Sequence, residues 1–262
     1  MPLENTGNKI KSLKIYKDKI VIKYQDTKLD IPKEVFTSFY LYEGKDISNK
    51  EINEIKNKIK IYELYKYARR IASTHLYSEY RMREKLYLKT TYKSEVDEVI
   101  NKLKDIGLIN DQVLVEQYVN ECKTKLLGKN KINAKLYEIG VFPELINHIY
   151  YDDKDEYIRA RSLLNKLDKT YDKYNNRRKK DKIIIALISK GYEPDIALRV
   201  SEEMHYSNNK DEENKLKKDY QKVLINYKKK YQGRELRDKI IMSLTRKGYR
   251  INDVNKILGD KL

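Results

Sequence analysis

The spacing of apolar positions changes once along the chain. In the first part they alternate with polar ones: Leu13 and Ile15, then Ile20, Ile22 and Tyr24, then Leu29 and Ile31. Period two is the pattern of strands with one buried face. Lys17-Asp18-Lys19 and Gln25-Asp26 fall between these runs and are the expected turns, so the pattern predicts a small β-meander. Pro32, Val35, Phe36, Phe39 and Tyr40 then predict a short helix closed at Gly44, with proline in its first turn and glycine past its last. "SNKE", residues 48 to 51, reads as a capping box in which Ser48 caps the first turn and Glu51 reaches back to it. From there to the C-terminus apolar residues recur at helical spacing. The expectation is a mainly α chain behind a small β-containing module.

The helical part repeats itself. "KDKIIIALISKGY" at 180 to 192 returns at 237 to 249 as "RDKIIMSLTRKGY", with Asp181/Asp238, Lys182/Lys239, Ile183/Ile240, Ile184/Ile241, Leu187/Leu244, Lys190/Lys247, Gly191/Gly248 and Tyr192/Tyr249 identical. "KNKINAKLYEIGV", 129 to 141, matches through Lys131, Ile132, Leu136 and Gly140. "EYRMREKLYLKTTY" keeps Met82 and Leu86 but has Thr90-Thr91 in place of the glycine. Each unit reads as three short amphipathic helices. The second is capped by Asn130, Asp181 or Asp238 and stops at a left-handed glycine, and the third starts near Pro143, Pro194 or Asn252. Units of about fifty residues that bury one face each and stack on their neighbours form a helical repeat array. The boundaries expected are 1–47 for the β-containing module and 48–109, 110–152, 153–207 and 208–262 for repeats 1 to 4.

Charge adds a partner to this picture. The 57 Lys and Arg against 40 Asp and Glu leave a net charge of +17 over 262 residues. A genome rich in Lys would enrich Glu as well, so the excess points to a polyanion. Nucleic acid, single- or double-stranded, is favoured over membrane because no segment joins a basic face to a broad apolar one. Basic residues gather where the first helix hands over to the second: Arg81 and Arg83; Lys129 and Lys131; Arg177, Arg178, Lys179, Lys180 and Lys182; Arg234, Arg237 and Lys239. Cations at a helix N-terminus oppose its dipole. Their recurrence suggests a use, an anion site made with the unpaired backbone N–H groups, while solvated lysines in a Lys-rich chain are the bland alternative.

Chemistry contributes less. His75, His148 and His205 lie far apart without a recurring carboxylate or thiol, and no glycine-rich phosphate loop occurs. No catalytic group, metal site or cofactor is expected. Cys122, the single cysteine, shares helical spacing with Tyr118 and Val119, which places it in a core and the chain in a reducing compartment. Without a signal-like or membrane-spanning apolar run, a soluble, cytoplasmic monomer is the expectation. Tyr220, Tyr227 and Tyr231 read as core packing, and Tyr192 and Tyr249 as residues packed behind their helix ends.

Between the first two repeats stands "GLINDQVLVEQYV", 107 to 119. Gly107, Leu108, Ile109, Asp111, Leu114, Tyr118 and Val119, followed in register by Gly128, Ile132, Leu136, Gly140 and Val141, resemble the RecX family, regulators of the RecA recombinase. Asn110, Val113, Val115 and the missing glycine of the first repeat depart from the family pattern. The β-meander is similar to the N-terminal extension of longer members, and the repeat at 208–262 is additional to the usual three. The resemblance implies a curved, elongated array that binds the RecA nucleoprotein filament without catalysis, along its groove, and restrains homologous recombination in DNA repair and the SOS response. A nucleic-acid-binding repeat protein with no recombinase partner is the alternative.

Overall fold

The computed structural model describes residues 8–259. Its chain divides into two compact units, Met1–Val115 with Ile139–Phe142, and Glu116–Glu138 with Pro143–Leu262. In the first unit β1 (Asn8–Ile15), β2 (Lys19–Tyr24) and β3 (Thr27–Pro32) form the expected antiparallel meander, and β4 (Asp46–Ile47) adds a short edge, in the order β3-β2-β1-β4. Ile20, Ile22, Tyr24 and Ile31 point inward as period two requires. Ile15, although paired with the buried Ile20, is 70% exposed at the last position of β1. The helix expected up to Gly44 is the single turn α1 (Lys33–Phe36); bonds from Ser38 N to Val35 O and Phe39 N to Phe36 O tighten the chain out of it. Gly44, at φ +92°, serves a different purpose: its N–H reaches the Ile10 carbonyl at 2.9 Å and sets up β4.

The capping box forms as read, Glu51 N to Ser48 Oγ at 3.1 Å and Ser48 N to Glu51 Oε2 at 2.8 Å, and opens α2 (Asn49–Ala72). The first end of α2 closes the sheet with Ile52 and Ile55. Its second end gives Leu64, Ala68 and Ala72 to a helical core with Met82 and Leu86 of α3 (Glu79–Tyr87) and Val96, Val99, Ile100 and Leu103 of α4 (Lys93–Asp105). One helix thus serves the β-containing module and the first repeat together.

α5 (Asp111–Thr124) leads into the second unit, which continues with α6 (Lys129–Glu138), α7 (Pro143–Asn147), α8 (Asp153–Ser162), α9 (Leu164–Tyr171), α10 (Asn176–Ser189), α11 (Pro194–Glu202), α12 (Asn209–Lys228), α13 (Gly233–Arg246) and α14 (Ile251–Leu258). Two clusters stand out, one joining Ala160, Leu164, Ile183, Leu187, Ile196 and Val200, the other Leu216, Val223, Ile240, Leu244 and Val254. These are the three-helix repeats expected from the spacing, with the first helix of the third broken at Leu163 into α8 and α9.

The second helices end as predicted. Gly140, Gly191 and Gly248 have φ of +78°, +93° and +96°. Bonds from Tyr192 N to Leu187 O and Gly191 N to Ile188 O close α10 in a Schellman motif, and Tyr249 and Gly248 close α13 in the same way. Tyr192 and Tyr249 are buried behind those ends, with hydroxyls on the Leu126 carbonyl and the Asp219 carboxylate. Their starts need correction. Ile183 and Ile240 lie seven residues into α10 and α13, whereas Met82 and Ile132 lie three into α3 and α6, so the last two second helices begin one turn earlier. Asp181 and Asp238 therefore lie inside helices, and Asn130 is the second residue of α6. The run "RRKK" at 177 to 180 is made of good helix formers, and Asn175 supplies the cap.

Candidate functional site

The basic clusters do fall at the starts of the second helices, but those starts are not bare. In the first unit Ser78 caps α3 by accepting from Arg81 N and donates its hydroxyl to the Ile139 carbonyl at 2.5 Å, beside Gly140. The N–H of Glu79, first in α3, goes to Asp111 Oδ1 at 2.8 Å. In the second unit α6 starts against the end of α10: Gly128 N bonds Lys190 O at 2.9 Å and Asn130 N bonds Gly191 O at 3.0 Å. A Cβ on either Gly128 or Gly191 would collide with the other strand of backbone. Lys129 N, first in α6, goes to Glu156 Oε1 at 2.7 Å. α10 starts against the end of α13, with Asn175 Nδ2 on the Lys247 carbonyl at 2.8 Å and Asn176 N on the Glu212 carboxylate at 3.1 and 3.2 Å.

The same joint is thus built three times. The start of a second helix meets the glycine end of the second helix one repeat later, and a carboxylate from that later repeat's first helix takes the leading N–H. Opposite helix ends carry opposite partial charge, so the contact is favourable. The anion pocket anticipated from unpaired N–H groups is filled by the protein's own carbonyls and carboxylates. The start of α13 has no such partner among the described residues: Gln232 makes no side-chain cap and Gly233 follows at φ +53°. At the opposite end of the series, the end of α3 borders an open groove of about 800 Å³ lined by Lys60, Tyr67, Tyr87, Leu88 and Thr90.

The twelve basic residues divide accordingly. Lys179 is withdrawn from the candidate surface: it is 1% exposed, with Nζ 2.8 Å from Asp168 Oδ1, 3.3 Å from Asp172 Oδ1 and 2.9 Å from the His205 carbonyl. The Asp168 contact is an ion pair whose angles fall outside hydrogen-bond geometry, since that oxygen lacks a hydrogen-bond partner. Arg83 is held between Glu79 at 2.8 Å and Asp97 at 2.5 Å. Burial pushes the Glu79 carboxyl up, but hydrogen bonds from Lys104 and Arg83 outweigh it and hold the group below its ordinary value. Arg81 pairs with Glu84, Lys129 with Glu193, and Lys180 more loosely with Glu202 at 3.7 Å.

Arg178 and Lys182 lean over the Tyr174 ring at 5.7 and 4.9 Å from its centre, with Lys173 at 5.4 Å, and Lys239 lies 5.3 Å over Tyr231. Lys131, Arg177, Arg234 and Arg237 make no ion pair among the described residues, and Lys131, Arg177 and Arg234 are exposed. Helical spacing could not single out Tyr174, which gathers three cations. Nor did it find the joint acids, although Asp111, Glu156 and Glu212 each precede an inward apolar or small residue by four positions, at Val115, Ala160 and Leu216.

The histidines are exposed, Cys122 is buried, and no group of His, Cys, Asp and Glu among the described residues is placed to hold a metal. No helix among them is long and apolar enough to cross a membrane.

No family model matches the chain. Individual proteins do. It is 29% identical over 234 residues to "Regulatory protein RecX" of Listeria welshimeri, spanning 88% of this chain and 87% of that one. It is 28% identical over 252 residues to the protein so named from Lactococcus lactis, 90% of each, and 26% over 245 residues to that from Streptococcus uberis, 89% and 92%. A crystal structure of regulatory protein RecX superposes with a TM-score of 0.65 at 22% identity, over 75% of this chain and all of the other, a likeness of fold. The crystal structure of RecX from Lactobacillus salivarius gives 0.52 at 29% identity, over 55% of this chain and 96% of its own.

Proposed function

We propose that the chain is a member of the RecX family of regulatory proteins, to which it is similar over most of its length, and that it binds the DNA filament of the RecA recombinase and restrains recombination. It acts by binding alone, as a monomer and without a cofactor, and its basic helix starts take the phosphates of the filament's DNA. The observation that carries this reading is positional: Lys131, Arg177, Arg234 and Arg237, which make no ion pair among the described residues, stand at the starts of three successive second helices. Arg178, Lys182 and Lys239, held over tyrosine rings, are pre-oriented beside them. Arg81 and Arg83 play the lesser part, being matched by acids of their own repeat.

The test is to add the purified protein to RecA filaments preassembled on single-stranded DNA. Filaments should shorten or stop growing and ATP turnover by RecA should fall. Intact filaments with normal turnover at excess protein would sink the recombinase reading, and retention of binding to bare DNA in that experiment would favour the nucleic-acid-binding alternative.

A further inference from the structure

The three joints share a part that the helix starts do not need for their own sake. Ser78 already caps α3 and Asn175 already caps α10, each accepting an N–H from its own first turn. Asp111, Glu156 and Glu212 come from the following repeat and take a different donor, the N–H of Glu79, Lys129 or Asn176, the first residue of the helix. Each thereby joins a basic helix start to the repeat behind it.

Nor is their presence explained by stability alone. Glu156 is fully buried, one of its oxygens lacks a hydrogen-bond partner among the described residues, and burial raises its carboxyl; burial raises Asp111 too. A neutral acceptor would make the same bond without bringing a charge out of water. What a carboxylate adds is directional attraction to the positive end of a helix dipole.

We infer that Asp111, Glu156 and Glu212 are positioning residues that lock successive repeats at a fixed angle and so hold the cations beside each joint at the spacing the partner's phosphates require. This rests on the filament reading of those cations. Around Glu212 the lock is drawn tight. Lys215 bridges the Tyr174 carbonyl at 2.9 Å and Ser207 Oγ at 2.6 Å, and Asn176 and Ser207 exchange two further bonds, at 2.8 and 2.9 Å. Arg178, one of the candidate cations, reaches the Arg246 carbonyl at the glycine end opposite. A loosened Glu212 contact would release Arg177 and Arg178 together from their register with the fourth repeat.

The experiment compares the full chain carrying Glu212→Ala with Glu212→Gln, which keeps an acceptor oxygen. Exchange of the Asn176 amide is followed by NMR, and affinity is measured for RecA filaments on single-stranded DNA. With Ala, the Asn176 amide should exchange roughly tenfold faster while the Ile240 and Leu244 amides of the fourth core stay protected, and filament affinity should fall about tenfold. Gln, which keeps the acceptor without the charge, should recover most of the protection and affinity, leaving a deficit of about twofold to threefold as the share of the dipole.

A loosened Asn176 amide with unchanged affinity would overturn the positioning role and leave the filament reading intact. An Asn176 amide as protected in the Ala variant as in the parent would show that Glu212 does not hold the joint. If the unsubstituted protein fails to bind filaments, the filament reading falls, and the exchange rates still decide whether the acid holds the joint. Should Glu212→Ala disturb the fourth core, Asp111→Ala and Asp111→Asn, read at the Glu79 amide, replace the pair and are judged by the same outcomes.

Discussion

Lys179 and Arg177 are two residues apart in one basic run and belong to opposite sides of a helix. Arg177 faces solvent unpaired; Lys179 neutralises Asp168 inside the third repeat. Lys179→Ala removes a buried cation and leaves the half-buried Asp168 without it, so stability should fall by about 1–3 kcal/mol in denaturant unfolding while the salt dependence of DNA binding is unchanged. Converting Lys131, Arg177, Arg234 and Arg237 to Gln should do the reverse. Folding should hold, and the slope of log affinity against log salt should shrink by about 0.7 per lost contact on single strands or 0.9 on duplex. Glu156 gives a pH signature. Its carboxyl is raised by burial, so its contribution to stability is full below the ordinary glutamate value and is lost as pH rises through the raised one. Glu156→Gln, which cannot ionise, should therefore match the parent at acid pH and melt higher at neutral pH.

At the scale of elements, glycine separates conformational demand from crowding. Gly107 and Gly191 both have positive φ, but a Cβ on Gly107 meets open space, while one on Gly191 runs into the backbone of Lys131. Gly107→Ala should cost about 1–2 kcal/mol, the left-handed penalty alone. Gly191→Ala should cost distinctly more and loosen α6 from α10 in hydrogen exchange.

This contrast also explains what periodicity could convey. Strands, helices, glycine ends and the tyrosines behind them were legible because each depends on neighbours in sequence: period two for Ile20, Ile22 and Tyr24, a left-handed turn for Gly248, helical spacing for Leu216, Tyr220 and Val223. The helix starts were misplaced at Asp181 and Asp238 because a basic run extends a helix as readily as it surrounds a cap. The joint acids were invisible because their partners are backbone N–H groups 27 to 36 residues away, and such a donor has no residue-type signature. The register slip in β1 between Ile10 and Ser12 likewise left no mark on the alternation.

Over the whole molecule, stability in such arrays is a sum of repeats and nearest-neighbour contacts. Removing 208–262 takes away one joint, so the shortened chain should remain soluble and keep its helical circular dichroism per residue; wholesale loss of that signal would mean that the proposed boundaries cut through a single cooperative fold. Its affinity for filaments should drop, since Arg234, Arg237 and Lys239 go with it. The three joints also give the series a direction. Each requires an acid and a glycine from the later repeat and asks only a helix start of the earlier one. The fourth repeat holds such a start, unclaimed among the described residues, at Gln232 and Gly233. The first repeat has neither requirement in place: Thr90-Thr91 replaces the glycine, and the position four before Leu64, where the acid would stand, is Lys60 on the rim of an open groove. A gene duplication could therefore append a fifth unit behind the fourth without redesign, whereas one inserted ahead of the first would meet a cation at the door. On these terms the series accepts a further unit at one end and not at the other.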